Sequence, residues 1–83
     1  MNELLDNETR WTRIAHDQLV GRRIKAVRYM TETERKNMGW AHRPVVLELD
    51  NGHLVWPAAD DEGNDAGVLN TTSEYQPVLP VMR

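Results

Sequence analysis

Eighty-three residues with 13 acids, 10 lysines and arginines and a net charge of −3 make one small domain. At this size folding buries only about 60–65% of the unfolded chain's surface, so one core is expected and a deep interdomain cleft is excluded. The absence of cysteine excludes a disulfide framework, a thiolate metal site and a cysteine nucleophile.

No apolar run approaches the roughly 18 residues of a membrane span. Glu3 and Asp6 bracket Leu4-Leu5, where a leader would run from basic to apolar. The expectation is a cytoplasmic protein with no membrane partner. Charge is unevenly placed. Arg10 to Arg43 hold nine Lys/Arg against three acids, Pro44 to Arg83 hold one arginine against seven acids, and the first nine residues add three acids. Such asymmetry either steers partners or is consumed by pairing across a sheet.

The first element is a helical arm over residues 8–20. Trp11, Ile14, Ala15, Gln18 and Leu19 recur at three- and four-residue spacing and make one stripe. Asn7 reads as its N-cap and Gly21 as its stop. About three turns of helix are marginal in water, so this arm is expected to pack on the rest of the chain.

Residues 22–30 read as the first strand. Ile24 and Ala26 share one face, whereas Val27 and Tyr29 share the other. An apolar set that changes face midway predicts a bulge or a sharp bend. Thr31 and Glu34 then form the cap and N3 positions of a capping box, with Gly39 as the stop, predicting a short helix over 32–38. Met38 and Trp40 are expected to pin it to the core.

Residues 44–57 read as a hairpin about Asn51-Gly52, the dipeptide favoured in two-residue turns. That turn sets Asp50 opposite His53, Leu49 opposite Leu54 and Leu47 opposite Trp56. One face then holds Val45, Leu47, Leu49, Leu54 and Trp56, all apolar. Val68-Leu69 suits a short strand. The tail over 75–81 is extended and, with Pro77 and Pro80, suits a sheet edge. Together these elements predict an α+β domain: an N-terminal helix packed on a strongly bent antiparallel sheet, an SH3-like barrel of four to five strands.

The hairpin runs into an acidic loop over 58–67. Asp60, Asp61, Glu62 and Asp65 lie beside Asn64, with Gly63 and Gly67 supplying conformational freedom. Asp60 and Asp61 suit Asx-type capping of the loop's own amides. The sharper reading makes Trp56, Asp60, Asp61, Glu62, Asn64 and Asp65 a recognition surface for an unknown protein partner. An irregular Ca²⁺ or Mg²⁺ site from the four carboxylates is a third reading. An EF-hand is excluded, since neither Gly63 nor Gly67 at the invariant glycine leaves acidic residues at both ends of the loop.

His16, His42 and His53 show no zinc-ligand spacing. His53 suits a cross-strand pair with Asp50, and His16 the polar side of the arm. Hydrolysis by Asp60 and Asp61 with His42 is conceivable chemistry, but the chain carries no nucleophile elbow, phosphate loop or dinucleotide fingerprint, and so no cofactor. The alternative to a protein partner is nucleic acid. Arg22, Arg23, Lys25, Arg28 and Arg43, extended by Arg35 and Lys36, would form the basic face, with Trp40 and Tyr29 as stacking surfaces. An acidic net charge opposes that reading.

The stretch Pro57-x-x-Asp60-Asp61-Glu62-Gly63-Asn64-Asp65-Ala66-Gly67, preceded by Gly39-Trp40 and Arg43-Pro44-Val45-Val46, resembles a group of short uncharacterised bacterial proteins. The resemblance runs roughly from Leu19 to Leu69. It implies that the loop matters in these proteins and brings no activity.

Overall fold

A computed structural model describes residues 3–83. The element order is α1 (Glu3–Leu19), β1 (Ile24–Tyr29), α2 (Glu32–Met38), β2 (Val45–Leu49), β3 (Leu54–Val55), β4 (Leu69–Asn70) and β5 (Val78–Leu79). β1, β2 and β3 form an antiparallel sheet in that order, and β4 pairs with β5 in a second one. The fold is α+β as expected, but among the described residues the two sheets do not close into a barrel.

α1 begins at Glu3, so Asn7 lies within the helix and is not its cap. The helix ends as expected: Arg22 N–H donates to the Leu19 carbonyl and Gly21 takes φ 79°. The expectation that α1 packs firmly on the sheet is not met. Trp11 is 59% exposed, Leu19 is also exposed, and Ile14 is only half-buried.

β1 carries an irregularity as expected, but it parts Ile24 from Ala26. Ile24 pairs with Leu49 and Ala26 with Glu48, so Lys25 is the extra residue of a bulge and Ile24 joins the face of Val27 and Tyr29 rather than that of Ala26. α2 forms where the capping box places it. Glu34 N–H donates to Thr31 Oγ1, Thr31 N–H donates back to the Glu34 carboxylate, and Gly39 closes the helix at φ 74°. Satisfying two amides reciprocally at the first turn is what lets seven residues hold a helix.

The hairpin forms, with a different register. Leu47 pairs with Val55 and Glu48 with Leu54, one residue away from the expectation. Leu49 N–H donates to the His53 carbonyl, leaving Asp50-Asn51-Gly52 as a three-residue loop. A two-residue type I′ turn needs positive φ at both positions. Here Gly52 alone takes it, at 88°, while the Asn51 side chain accepts from His53 N–H. The slip turns Leu54 and Trp56 onto the face of Val46 and Glu48, because alternate residues change sides. Both remain exposed, whereas Val55 joins the face of Val45 and Leu49 and is half-buried. Asp50 lies 3.6 Å from Arg22 rather than against His53.

The core is small. Met30, Trp40 and Val46 are buried together with Ala66 against them, and Pro44, Val45 and Leu49 are buried as well. Trp40 fulfils its expected role, whereas Met38 stays exposed. The tail is tied to this core by backbone. Arg43 and Met82 exchange hydrogen bonds of 2.7 and 2.8 Å, and the Tyr29 hydroxyl donates to the Pro80 carbonyl at 2.8 Å. Among the described residues no helix is long and apolar enough to cross a membrane.

Candidate functional site

The acidic loop is a braced hairpin-like excursion. Its stem closes by an Ala58–Ala66 bridge, with Ala59 N–H donating to the Asp65 carbonyl and Gly67 N–H to that of Pro57. The closure requires glycine at 67, since a Cβ there would lie 2.8 Å from the Ala58 carbonyl carbon and oxygen. Gly63 takes φ 73° at the tip, and its carbonyl accepts from the Trp40 indole N–H at 2.6 Å. The most buried aromatic ring of the core therefore also fixes the loop.

Two of the four carboxylates face inward. Asp60 Oδ1 accepts from the amides of Glu62 and Asn64, at 3.0 and 3.2 Å, and its Oδ2 accepts from the Asn64 carboxamide at 2.7 Å. The Asn64 side chain, followed by these amides, holds the Asp60 carboxyl below the usual carboxylate range. Asp65 Oδ1 accepts from the amides of Ala41, His42 and Ala66, and its Oδ2 lies 2.9 Å from His42 Nδ1. The His42 side chain first, and the Ala66 amide next, bring the Asp65 carboxyl down to about 2. His42, weighed in sequence beside Asp60 and Asp61, belongs to Asp65 instead. No periodicity links positions 42 and 65, so nothing in the sequence marks this pair.

Asp61 and Glu62 stand apart. Both are exposed, and among the described residues neither side chain makes a hydrogen bond or ion pair. Among the same residues no three His, Asp or Glu side chains converge as a metal site would need. The four loop carboxylates are thus divided into two internal braces and two outward groups. Trp56 leads into the stem and is 37% exposed.

Trp56 also separates two hollows. One is an open groove of about 420 Å³ between the Trp11–Leu19 stripe of α1 and Leu54, Val55 and Trp56. The other, about 210 Å³, lies between α2 and the sheet and is lined by Met30, Met38, Val46, Leu54 and Trp56. Both take one wall from Leu54 and Trp56, which the observed hairpin register turns to this side.

The basic residues do not form an open face. Arg28 makes a two-pronged pair with Glu34 at 2.8 and 3.1 Å, Arg43 lies 3.2 Å from Glu32, and Lys25 lies 3.9 Å from Glu48. Arg22 has Asp50, as above, and Arg35 has Glu32 at 3.2 Å. Arg28 and then Thr31 bring the Glu34 carboxyl down to about 2. Of these pairs, only Arg22–Asp50 and Lys25–Glu48 join the basic stretch to the acidic one; the other three use the basic stretch's own carboxylates. Trp40 is buried and unavailable for stacking, and the Tyr29 hydroxyl is engaged by the tail. Arg23 and Lys36 are exposed, and among the described residues no ion pair joins them.

No family model, curated protein or solved structure matches the chain.

Proposed function

We propose that the chain is a small non-catalytic binding module that presents the tip of its acidic loop to a protein partner bearing basic side chains. One observation carries this reading: Asp60 and Asp65 hold the loop from inside, while Asp61 and Glu62 are left outward on a backbone fixed by Trp40. A braced loop loses little conformational freedom on association, which favours binding. Outward charges on such a loop contribute to encounter rate and selectivity more than to fold stability.

The same observation sharpens the test. Asp61→Asn/Glu62→Gln removes the outward charge without touching a brace. The expected result is loss of captured protein from cell extract at low salt, with an unchanged melting temperature. Identical capture by the double variant and the wild type would remove the tip from consideration. The nucleic-acid reading has less support, since four of its five cations, Arg22, Lys25, Arg28 and Arg43, already have carboxylate neighbours. It would be recovered by salt-sensitive retention on a polyanion matrix that depends on Arg23.

A further inference from the structure

We infer that the hollow between α2 and the sheet is a socket for one aromatic side chain of a peptide segment whose basic residues reach the acidic tip. The inference rests on the acidic-tip reading for those basic residues. It goes beyond that reading by naming what else the segment carries and where it seats.

Size sets the class of occupant. The hollow holds about 210 Å³. An apolar cavity of about 150 Å³ accommodates benzene, whereas sites for drug-sized molecules begin at about 300 Å³. One six-membered ring fits, and a nucleotide or a large cofactor does not.

The lining sets the chemistry. Met30 and Val46 belong to the buried core, while Met38, Leu54 and Trp56 are the exposed walls. Two thioethers and an indole favour a ring over an aliphatic chain, because sulfur and π faces attract aromatic edges. The one carboxylate of the lining is already neutralised. Glu34 receives two bonds from Arg28 and one from the Thr31 amide, so it draws no cation into the socket.

The tip supplies the rest of the segment. Trp40 bonds to Gly63 and packs on Met30 and Val46, so one cluster both fixes the loop and backs the hollow. Trp56, on the wall, stands five residues before Asp61, which bounds their separation at about 18 Å. About six extended residues cover that distance. The tip also needs such an anchor. Two exposed carboxylates steer and select a basic partner but hold it weakly. A ring seated in a desolvated hole supplies the retention that they lack. A segment with an aromatic residue at one end and arginine or lysine at the other is complementary to both.

The test is an NMR titration of the whole chain, labelled at its methionine methyls, with acetyl-Phe-Gly-Gly-Gly-Arg-Arg-amide. The Met30 and Met38 methyls are expected to shift together and to saturate, while that of Met82 in the tail stays put. Alanine for phenylalanine in the peptide should weaken binding at least about tenfold, and leucine about threefold. Leu54→Ser, at an exposed wall, should weaken it about fivefold, with the Trp40 indole N–H signal unchanged as the check on folding. Asp61→Asn/Glu62→Gln should weaken the arginine peptide about threefold and leave its serine counterpart unaffected.

Methyls that do not move at millimolar peptide overturn the inference. So does an alanine or leucine peptide that binds as tightly as the phenylalanine one, and so does indifference to Leu54→Ser. Shifts of Met30 and Met38 that grow with protein concentration alone would place a second copy in the hollow and overturn it too. A ring that seats equally well on the double tip variant upholds the socket and removes the tip. Capture from extract that depends on the tip, with unmoved methyls, keeps the tip and removes the socket.

Discussion

The segment Thr31–Gly67 and the arm α1 obey opposite rules. In the first, few residues are buried but polar groups are satisfied in layers: a capping box on α2, Trp40 bonded to the loop, and Asp65 collecting three amides and His42. In the second, a helix of 17 residues leaves Trp11 and Leu19 of its apolar stripe in solvent. A short helix with caps and tertiary bonds is specified locally and held globally. A longer amphipathic helix without a partner is specified locally and held by little else. The stability of this chain as a monomer therefore belongs to the first region, and what the arm contributes depends on what covers it.

The largest effect should come from exchanging the two tryptophans' fates. Trp40→Ala empties a site that is 3% exposed and strips the loop of its indole bond, a loss of about 3–5 kcal/mol. Trp11→Ala, measured in dilute solution, should cost about 0.5 kcal/mol or less. Urea unfolding of both variants checks the contrast. Equal losses would mean that α1 is part of the monomer's core. Next comes Gly67→Ala. Its Cβ would meet backbone, not a side chain that can turn away, so the stem must open. Overpacking of this kind costs about 1–3 kcal/mol. The hydrogen-exchange protection of Ala59 and Gly67 should fall with it, while that of α2 persists.

The braced region was legible in sequence where one local motif decides the outcome. Thr31-x-x-Glu34 with Gly39 gave α2 its bounds, and the change of apolar face in β1 marked the bulge at Lys25. The hairpin was legible as a hairpin, but its register was not. Asn51-Gly52 is compatible with a two-residue turn and with a three-residue turn ending in left-handed glycine, and Asn51 here uses its side chain rather than positive φ. One residue of slip moved Leu54 and Trp56 from the expected core face to the walls of two hollows. The self-capping of Asp60 was legible from its spacing to Glu62 and Asn64. The clasp between Asp65 and His42 was not, because it depends on tertiary placement. The helical stripe of α1 was plain, yet amphipathicity says that a face needs cover without saying which molecule supplies it.

Acid should separate the two regions again. His42 beside Asp65 and Arg28 beside Glu34 bring both carboxyls down to about 2 in the folded chain, below the values of roughly 3.9 and 4.3 of unfolded Asp and Glu. A depressed folded value means that the unfolded state binds protons first as pH falls. The contribution of each group is complete above the unfolded value and is lost between about pH 4 and about pH 2. Melting temperature should therefore fall across that window. Asp65→Asn and Glu34→Gln should each start lower at neutral pH and show a shallower fall. A wild-type curve that is flat from pH 5 to about pH 2 would remove both carboxylates from the bracing account.

The smallest effect lies inside the loop and separates brace from tip. Asp60 and Asp61 are neighbours of the same residue type, yet only Asp60 accepts the amides of Glu62 and Asn64. Asp60→Asn keeps the shape but offers one oxygen and one donor where two oxygens now accept, so an amide or the Asn64 side chain loses its partner. The expected outcome is a lower melting temperature and faster exchange at Asn64 N–H. Asp61→Asn changes no hydrogen bond within the described loop and should leave both within error. If Asp61→Asn proved the more damaging of the two, Asp61 would have to brace the loop itself, and an outward tip offered to a partner would lose its physical basis.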